Sequence, residues 1–119
     1  MAFLERLRRR FTESDEERLA HEIEEWASSV PGSVRIASSP ARRRVKLAGV
    51  VKRMTVTPVQ GSESLEAVLS DGTGEVSVVW MGRRAIPGLT LGTRLVVEGV
   101  VASDRAGRRM VNPTFEFAA

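Results

Sequence analysis

Cysteine and tyrosine are absent from this chain, and His21 is its only histidine. The absence of cysteine excludes disulfides and thiolate metal sites and is typical of proteins in a reducing cytoplasm. A single histidine cannot build a multi-histidine metal site. The N-terminus has no continuous apolar run, so the sequence predicts neither a signal peptide nor a membrane span. We therefore expect a cytoplasmic protein that uses no membrane, metal or cofactor.

Lysine is also scarce, because sixteen of the eighteen basic residues are arginines. Against 15 acidic residues they give a formal net charge of +3. Planar guanidinium groups suit phosphates and stack on bases, which favours a nucleic-acid partner. An arginine-rich proteome would produce the same composition, since net charge alone says little about partners.

No residue pattern typical of a catalytic site is present. His21 lies in a predicted helix with no serine or cysteine nucleophile tied to it. The carboxylates are scattered over turns and helix surfaces, where solvated charge is the ordinary role. A Walker-type phosphate loop is also missing. The sequence therefore predicts a binding protein and not an enzyme.

Apolar residues recur at helical spacing through the first 30 positions, as Leu19, Ile23 and Trp26 show. Ser14 and Glu17 form a capping-box pattern, so one kinked helix and two successive helices are both open. We expect Leu19, Ile23 and Trp26 to be buried against the rest of the chain or a second copy. A Pro-Gly pair ends this helical extension, residues 1–30, and a linker rich in serine, proline and arginine follows over 31–44.

From residue 45 the apolar repeat changes to two, which indicates strands. The predicted strands are Val45–Val56, Leu65–Ser70, Glu75–Met81, Leu95–Ala102 and Arg108–Phe117, the last interrupted by Pro113. The Asp-Gly-Thr-Gly turn at 71–74 and the strand glycines at 49 and 99 are typical of a small closed barrel. We therefore predict a mainly β domain over residues 45–119, a five-stranded barrel with an N-terminal α-helical extension.

Four segments in order carry a resemblance to a known family. They are Asp71-Gly72-Thr73-Gly74, Val78-Val79-Trp80-Met81, the run from Leu91 to Gly99, and Met110-Val111-Asn112-Pro113. They resemble the oligonucleotide/oligosaccharide-binding (OB) wedge domain of RecG-type fork-remodelling helicases. The run 45–51 is similar to the first strand of OB domains more widely, including anticodon-binding domains of some tRNA synthetases. The resemblance implies an OB barrel that binds nucleic acid, without the helicase motor.

Basic residues lie near the two loops that flank the ligand groove of OB domains. Arg105, Arg108 and Arg109 surround the predicted loop between strands four and five, and Lys52 and Arg53 approach the loop after strand one. We predict that these five residues form a rim that tracks phosphates. Solvated hairpin charge is the alternative.

Two further candidates have a structural alternative. Trp80 could stack on a base, which is worth about 1–3 kcal/mol per base. By alternation it shares a face with Val76 and Val78, which favours the core instead. The family tends to carry two adjacent aromatics where this chain has Trp80 and Met81, so one stacking surface is lost.

The triplet Arg42–Arg44 can contact phosphates but is too short to be diagnostic.

The outward positions of strands two and three form an apolar and somewhat acidic face. They include Val68, Val79 and Met81 beside Glu66, whereas a strong single-strand binder would present basic and aromatic residues. The leading hypothesis is a non-catalytic nucleic-acid-binding module for single-stranded or branched DNA, in an accessory repair or replication role. The alternatives are a protein-interaction or oligomerisation module that uses this apolar face, and an RNA- or tRNA-binding module.

Overall fold

The chain forms one long helix followed by a sheet of six strands. The computed structural model describes the backbone of residues 2–118 and the side chains of residues 15–118 except Val59. The helix is α1 (Ala2–Ser29), and a 3-10 turn covers Ile36–Ser38. The strands are β1 (Arg44–Val59), β2 (Ser62–Ser70), β3 (Glu75–Met81), β4 (Arg94–Asp104), β5 (Gly107–Val111) and β6 (Thr114–Phe117). Within residues 2–118, no helix is long and apolar enough to cross a membrane.

Five of the strands close into a ring. Hydrogen bonds join them in the order β1-β2-β3-β5-β4, and β4 pairs again with β1. The β3–β5 pair is parallel and the other four pairs in the ring are antiparallel. This arrangement confirms the predicted mainly β OB fold with an N-terminal helix.

β1 bends where it passes from one neighbour to the other. Its first part pairs with β4 up to Val50, and its second part pairs with β2 from Val50 onward. The register shifts between Val51 and Arg53, so Lys52 is the extra residue of a bulge. Gly49 lies at this bend, as predicted, because a Cβ there would approach the Leu69 Cβ to 3.1 Å.

The predicted fifth strand is in fact two strands, separated at Pro113. β5 pairs with β3 and with the end of β4, whereas β6 pairs with the beginning of β4. Gly99 lies where β4 changes neighbour, and a Cβ there would lie 3.2 Å from the Pro113 Cβ. Proline has no amide hydrogen to give to a ladder, which explains why the strand breaks at this residue.

The core fills the inside of the ring with aliphatic side chains from alternate strand positions. Its largest fully buried members include Leu47, Leu65, Leu69, Leu95 and Met110. Ile86 and Leu89 join this core from the connection between β3 and β4. The chain needs few aromatic residues because branched aliphatic side chains supply most of this volume.

The segment between α1 and β1 packs on the ring through one buried apolar side chain and several hydrogen bonds. Ile36 is fully buried in the core, although it lies in the region predicted as a linker. Its amide donates to Asp71 Oδ2 at 2.9 Å, and the Ala37 amide donates to Thr73 Oγ1 at 3.2 Å. The turn at 71–74 therefore holds this segment in place.

α1 is one continuous helix, which answers the question that the capping-box pattern left open. Its C-terminal third contacts β1 and the turn at 71–74, with Ala27 buried and Ile23 and Trp26 half-buried. Leu19 is 58% exposed, so its expected burial within this chain is wrong. The helix approaches the ring closely at Gly72, where a Cβ would lie 2.7 Å from the Ala20 carbonyl oxygen.

Candidate nucleic-acid interface

The outer face of β1, β2, β3 and β5 carries a row of residues that crosses the strands. Three strand pairings build the row: Arg53 of β1 pairs with Val68 of β2, Val68 pairs with Ser77 of β3, and Ser77 pairs with Arg109 of β5. Neighbouring strands lie about 4.8 Å apart, so this row spans about 14 Å. Both arginines are exposed, and the two residues between them are half-buried. We call these four residues the transverse row.

The β4–β5 hairpin adds positive charge beside Arg109. Its two-residue loop is Arg105–Ala106, between the paired residues Asp104 and Gly107. The Ala106 amide donates to Asp104 Oδ1 at 2.8 Å, which fixes the loop, and Arg105 is exposed. The structure therefore brings Arg105 and Arg109 to the same end of the ring, as the sequence predicted.

Arg42 and Arg43 flank the other side of β4 at this same end. The Arg42 amide donates to the Val101 carbonyl at 2.7 Å, and the Val101 amide donates to the Arg43 carbonyl at 3.3 Å. Both arginine side chains are exposed. They are one strand away from Arg109, because β4 lies between them and β5. Arg42 and Arg43 lie near Arg109 because β4 pairs with both β1 and β5. No local sequence pattern predicts this, since these residues are more than 60 positions apart in the chain.

Lys52 and Arg53 lie at the β1 bulge and not near the β1–β2 loop, where they were expected. That loop is at Gln60–Gly61, whereas Arg53 pairs with Val68 towards the far end of the hairpin. Both basic side chains are exposed. The Arg53 Nη2 atom lies 4.0 Å from Glu75 Oε1 in an exposed ion pair, which contributes little stability. Arg53 therefore remains available to a phosphate.

Arg108 differs from its neighbour Arg109 because it is tied to the backbone. Its Nη2 donates to the Ala37 carbonyl at 2.7 Å, and its Nε lies 3.5 Å from the Ser39 carbonyl. The residue is half-buried. Strand alternation could have shown this difference, since Arg108 shares the inner side of β5 with buried Met110. Arg108 thus holds the segment before β1 and is not part of the exposed basic surface.

Trp80 belongs to the core. Only 4% of it is exposed, and its indole Nε1 lies 3.4 Å from the Pro113 carbonyl oxygen. Its ring packs edge-to-face on Phe115, with 5.5 Å between the ring centroids. A buried indole has no free face for a base, so the core alternative describes Trp80 correctly.

The opposite end of the same outer face is apolar. Met81 is 56% exposed and Val111 is 49% exposed. The buried Val79 lies on the same face of β3 as Met81 and pairs with Val111 of β5. Among the described side chains, α1 contacts β1 and the turn at 71–74, which lies at the other end of β3 from Met81. The outer face therefore has a basic end and an apolar end.

Nothing in the described side chains suggests a metal centre. No group of three or more metal-ligating residues is found among them. A cleft of about 470 Å³ lies between α1 and the turn at 71–74. Its lining includes Glu24 and Arg35, which form an ion pair with each other, and Asp71, whose carboxylate accepts backbone hydrogen bonds. The serine hydroxyls in the lining, those of Ser28 and Ser33, donate to backbone carbonyls of α1 and of Val30. These groups stabilise the fold.

The strand order, the bent first strand and the basic outer face define the class of this domain. A five-stranded ring with this order is the OB architecture, which binds oligonucleotides on its β2–β3 face. The chain belongs to the tRNA anti-codon family of OB-fold nucleic acid binding domains, whose family model matches residues 45–117.

Among solved structures, the chain is similar to RecG in its complex with a three-way DNA junction. The TM-score is 0.54 and the sequence identity 23%, over 64% of this chain and 11% of the RecG chain. This likeness confirms the predicted resemblance at the level of the fold, while the chain spans only a small part of RecG. No curated protein matches the chain.

Proposed function

We propose that the domain binds single-stranded nucleic acid across the transverse row, and that single-stranded or branched DNA is its ligand. The single observation that carries this proposal is the placement of Arg53 and Arg109 at the two ends of a row across β1, β2, β3 and β5. A strand laid across the sheet, perpendicular to the β-strands, would meet both guanidinium groups. Arg105 extends the positive charge beyond Arg109.

The residues between the arginines suit the passage of a strand. Val68 and Ser77 are small and half-buried, so a sugar-phosphate backbone can approach the sheet closely there. Three arginine–phosphate contacts would release counterions and give a log–log salt slope near −2, at about −0.7 per contact for a single strand.

The binding should be weak. No aromatic side chain lies in the transverse row, and Trp80 is buried. Each missing stacking contact forgoes about 1–3 kcal/mol, and Glu66 and Glu75 place negative charge on the same face. We expect a Kd in the micromolar range or above at physiological salt. Such affinity suits an accessory, non-catalytic role in repair or replication in the cytoplasm, beside a tighter-binding partner.

Fluorescence anisotropy with a labelled strand of about 20 nucleotides tests the proposal across a salt series. Arg109→Ala should weaken binding to all sequences and flatten the slope by about 0.7. The matched control is Arg84→Ala, which removes the same charge from an exposed residue paired with Glu63, away from the row. Equal effects of the two variants, or no salt-sensitive binding at low salt, would contradict the proposal.

The choice of nucleic acid is tested with the same assay on four ligands: single-stranded DNA, a forked DNA, blunt duplex DNA and RNA of the same sequence. The proposal predicts that the single strand and the fork bind more tightly than the blunt duplex. A clear preference for RNA would favour the second candidate, an RNA- or tRNA-binding module, which the match to the tRNA anti-codon family supports.

A protein-interaction function is the third candidate, and the exposed apolar end of the outer face supports it. Met81 and Val111 are each about half exposed, and exposed apolar patches mark contact surfaces when they are contiguous. If no nucleic acid binds even at low salt, this candidate replaces the proposal.

A further inference from the structure

The chain leaves β5 at Asn112 in a backbone conformation that few residues adopt. Its φ is +50°, in the left-handed region that asparagine tolerates better than most residues other than glycine. The Asn112 amide still donates to the Val79 carbonyl of β3 at 2.7 Å, one position beyond the paired residues Val79 and Val111. The next strand, β6, pairs with β4 instead. Asn112 therefore ends the pairing of this segment with β3.

The side chain of Asn112 takes the place of a backbone acceptor for β3. The Met81 amide donates to Asn112 Oδ1 at 2.8 Å. Since a backbone N–H can donate only to the oxygen of a carboxamide, this bond fixes which end of the side chain is Oδ1 and which is Nδ2. Oδ1 is the atom of this side chain that bonds within the described part of the chain, and the residue is exposed. The two N–H donors of Nδ2 are thus held beside Met81 and are open to a ligand.

Apolar side chains lie around these donors. Met81 and Val111 are each about half exposed on the outer face, and the buried Val79 pairs with Val111. The thioether of methionine is flexible and polarizable, so it adapts to a flat ring. A fixed pair of N–H donors in apolar surroundings suits a ligand that offers an acceptor next to a small apolar group.

The apolar end lies directly beside the transverse row. At about 3.4 Å per residue, Val79 is about 7 Å from Ser77 along β3, and Met81 is about 14 Å from it. Glu66, which pairs with Val79 from the β2 side, is half-buried and places a carboxylate here that disfavours a phosphate. With the backbone of a strand on the row, a base and not a phosphate can therefore occupy the apolar end.

We propose that the apolar end binds one thymine base of the strand on the transverse row, with Asn112 Nδ2 donating to thymine O4. This inference rests on the proposed function, since the row positions the base. Thymine is the base whose O4 acceptor lies next to a methyl group, which Met81 and Val111 would contact. Uracil keeps O4 and lacks the methyl group, and cytosine presents an amino donor in place of O4. The contact with the methyl group therefore favours DNA over RNA.

Fluorescence anisotropy with three labelled homopolymers on the same deoxyribose backbone tests the preference. They are oligo(dT), oligo(dU) and oligo(dC), each of about 20 nucleotides. We expect oligo(dT) to bind about fourfold more tightly than oligo(dU), because the burial of a methyl group is worth about that factor. Oligo(dC) should bind about fivefold more weakly than oligo(dU), because its amino group leaves Nδ2 without an acceptor.

Two variants separate the Nδ2 donors from the contact with the methyl group. Asn112→Asp keeps an oxygen for the Met81 amide and a side chain that tolerates positive φ, but it removes the Nδ2 donors. Its added negative charge weakens binding to every strand, so the ratio of affinities between strands is the readout. We expect the preference for oligo(dU) over oligo(dC) to disappear, while the preference for oligo(dT) over oligo(dU) stays.

Val111→Ser should reduce the preference for oligo(dT) over oligo(dU). The matched control is Val100→Ser, the same change at a valine of β4 that is also about half exposed, and it should leave this preference unchanged. Circular dichroism checks that each variant keeps the folded ring, and the ratios measured on the wild type test the inference independently of the variants.

Equal affinities for the three strands, with Arg109→Ala still weakening all of them, would leave the proposed function in place and overturn this inference. A preference for oligo(dU) over oligo(dC) that survives in Asn112→Asp would overturn it as well. Tightest binding to oligo(dC) would mean that Glu66 accepts from an amino group, and the assignment to thymine would be wrong. No salt-sensitive binding to any of the three strands would overturn both proposals.

Discussion

Replacing Asp71 with alanine should destabilise the protein by about 2–4 kcal/mol, although the side chain is small and lies in a turn. Its carboxylate is buried, with 3% of the residue exposed, and it accepts four hydrogen bonds. The donors are the Ile36 amide at 2.9 Å, the Thr73 amide at 2.9 Å, the Thr73 hydroxyl at 2.6 Å and the Gly74 amide at 3.2 Å. The carboxylate thus joins the turn at 71–74 to the segment that precedes β1.

The expected magnitude follows from what each donor loses. In the alanine variant the Ile36 amide is left buried without a partner, which costs about 1–3 kcal/mol. The donors of the turn itself can reach water, and the loss of their charged acceptor adds about 1 kcal/mol, similar to the loss of a helix cap. For a domain of this size, the total corresponds to a fall in Tm of roughly 8–16 °C, at about 4 °C per kcal/mol.

Urea unfolding and thermal melting followed by circular dichroism measure this effect. Asp104→Ala is the matched control, because Asp104 Oδ1 accepts the Ala106 amide at 2.8 Å in an exposed hairpin loop. Its cost should stay below about 1 kcal/mol, since water replaces the lost acceptor. Equal stability losses in the two variants would refute the reasoning that burial of the Ile36 amide makes the difference.

Two further predictions concern the helix contact and the two neighbouring arginines. Gly72→Ala should lower Tm more than Gly82→Ala. Both glycines have positive φ (+86° and +74°), but at Gly72 a Cβ would also lie 2.7 Å from the Ala20 carbonyl oxygen, whereas at Gly82 it would meet nothing within 4 Å. Equal melting temperatures of the two variants would contradict the close approach of α1. Arg108→Ala should lower Tm and leave the salt slope of nucleic-acid binding nearly unchanged. Arg109→Ala should flatten the salt slope and leave Tm nearly unchanged. A flattened slope for Arg108→Ala would show that Arg108 contacts nucleic acid.

The ring itself could be predicted from the sequence because its signals are local. Strand periodicity and the Asp-Gly-Thr-Gly turn predicted the strands, and the alternation of Val76, Val78 and Trp80 already favoured a buried indole. Pro113 also predicted the break in the last strand, since proline cannot donate to a ladder.

The remaining features depend on contacts between distant residues. Ile36 lies in a short Val-Arg-Ile-Ala stretch, too short for any periodicity to predict its burial. Its place depends on the Asp71 carboxylate, 35 positions away. The transverse row exists only because β3 pairs in parallel with β5 and because the bulge at Lys52 shifts the register of Arg53. Register between strands that are not neighbours in the sequence is not written in any local pattern.

An NMR titration of the ¹⁵N-labelled protein with unlabelled single-stranded DNA at low salt shows whether nucleic acid lies across the transverse row. We expect the largest changes in amide chemical shift at Arg53, Val68, Ser77 and Arg109, and we expect these changes to decrease as salt is added. Shift changes confined to α1 or to the apolar end near Met81 and Val111, or none at low salt, would contradict this placement of the nucleic acid.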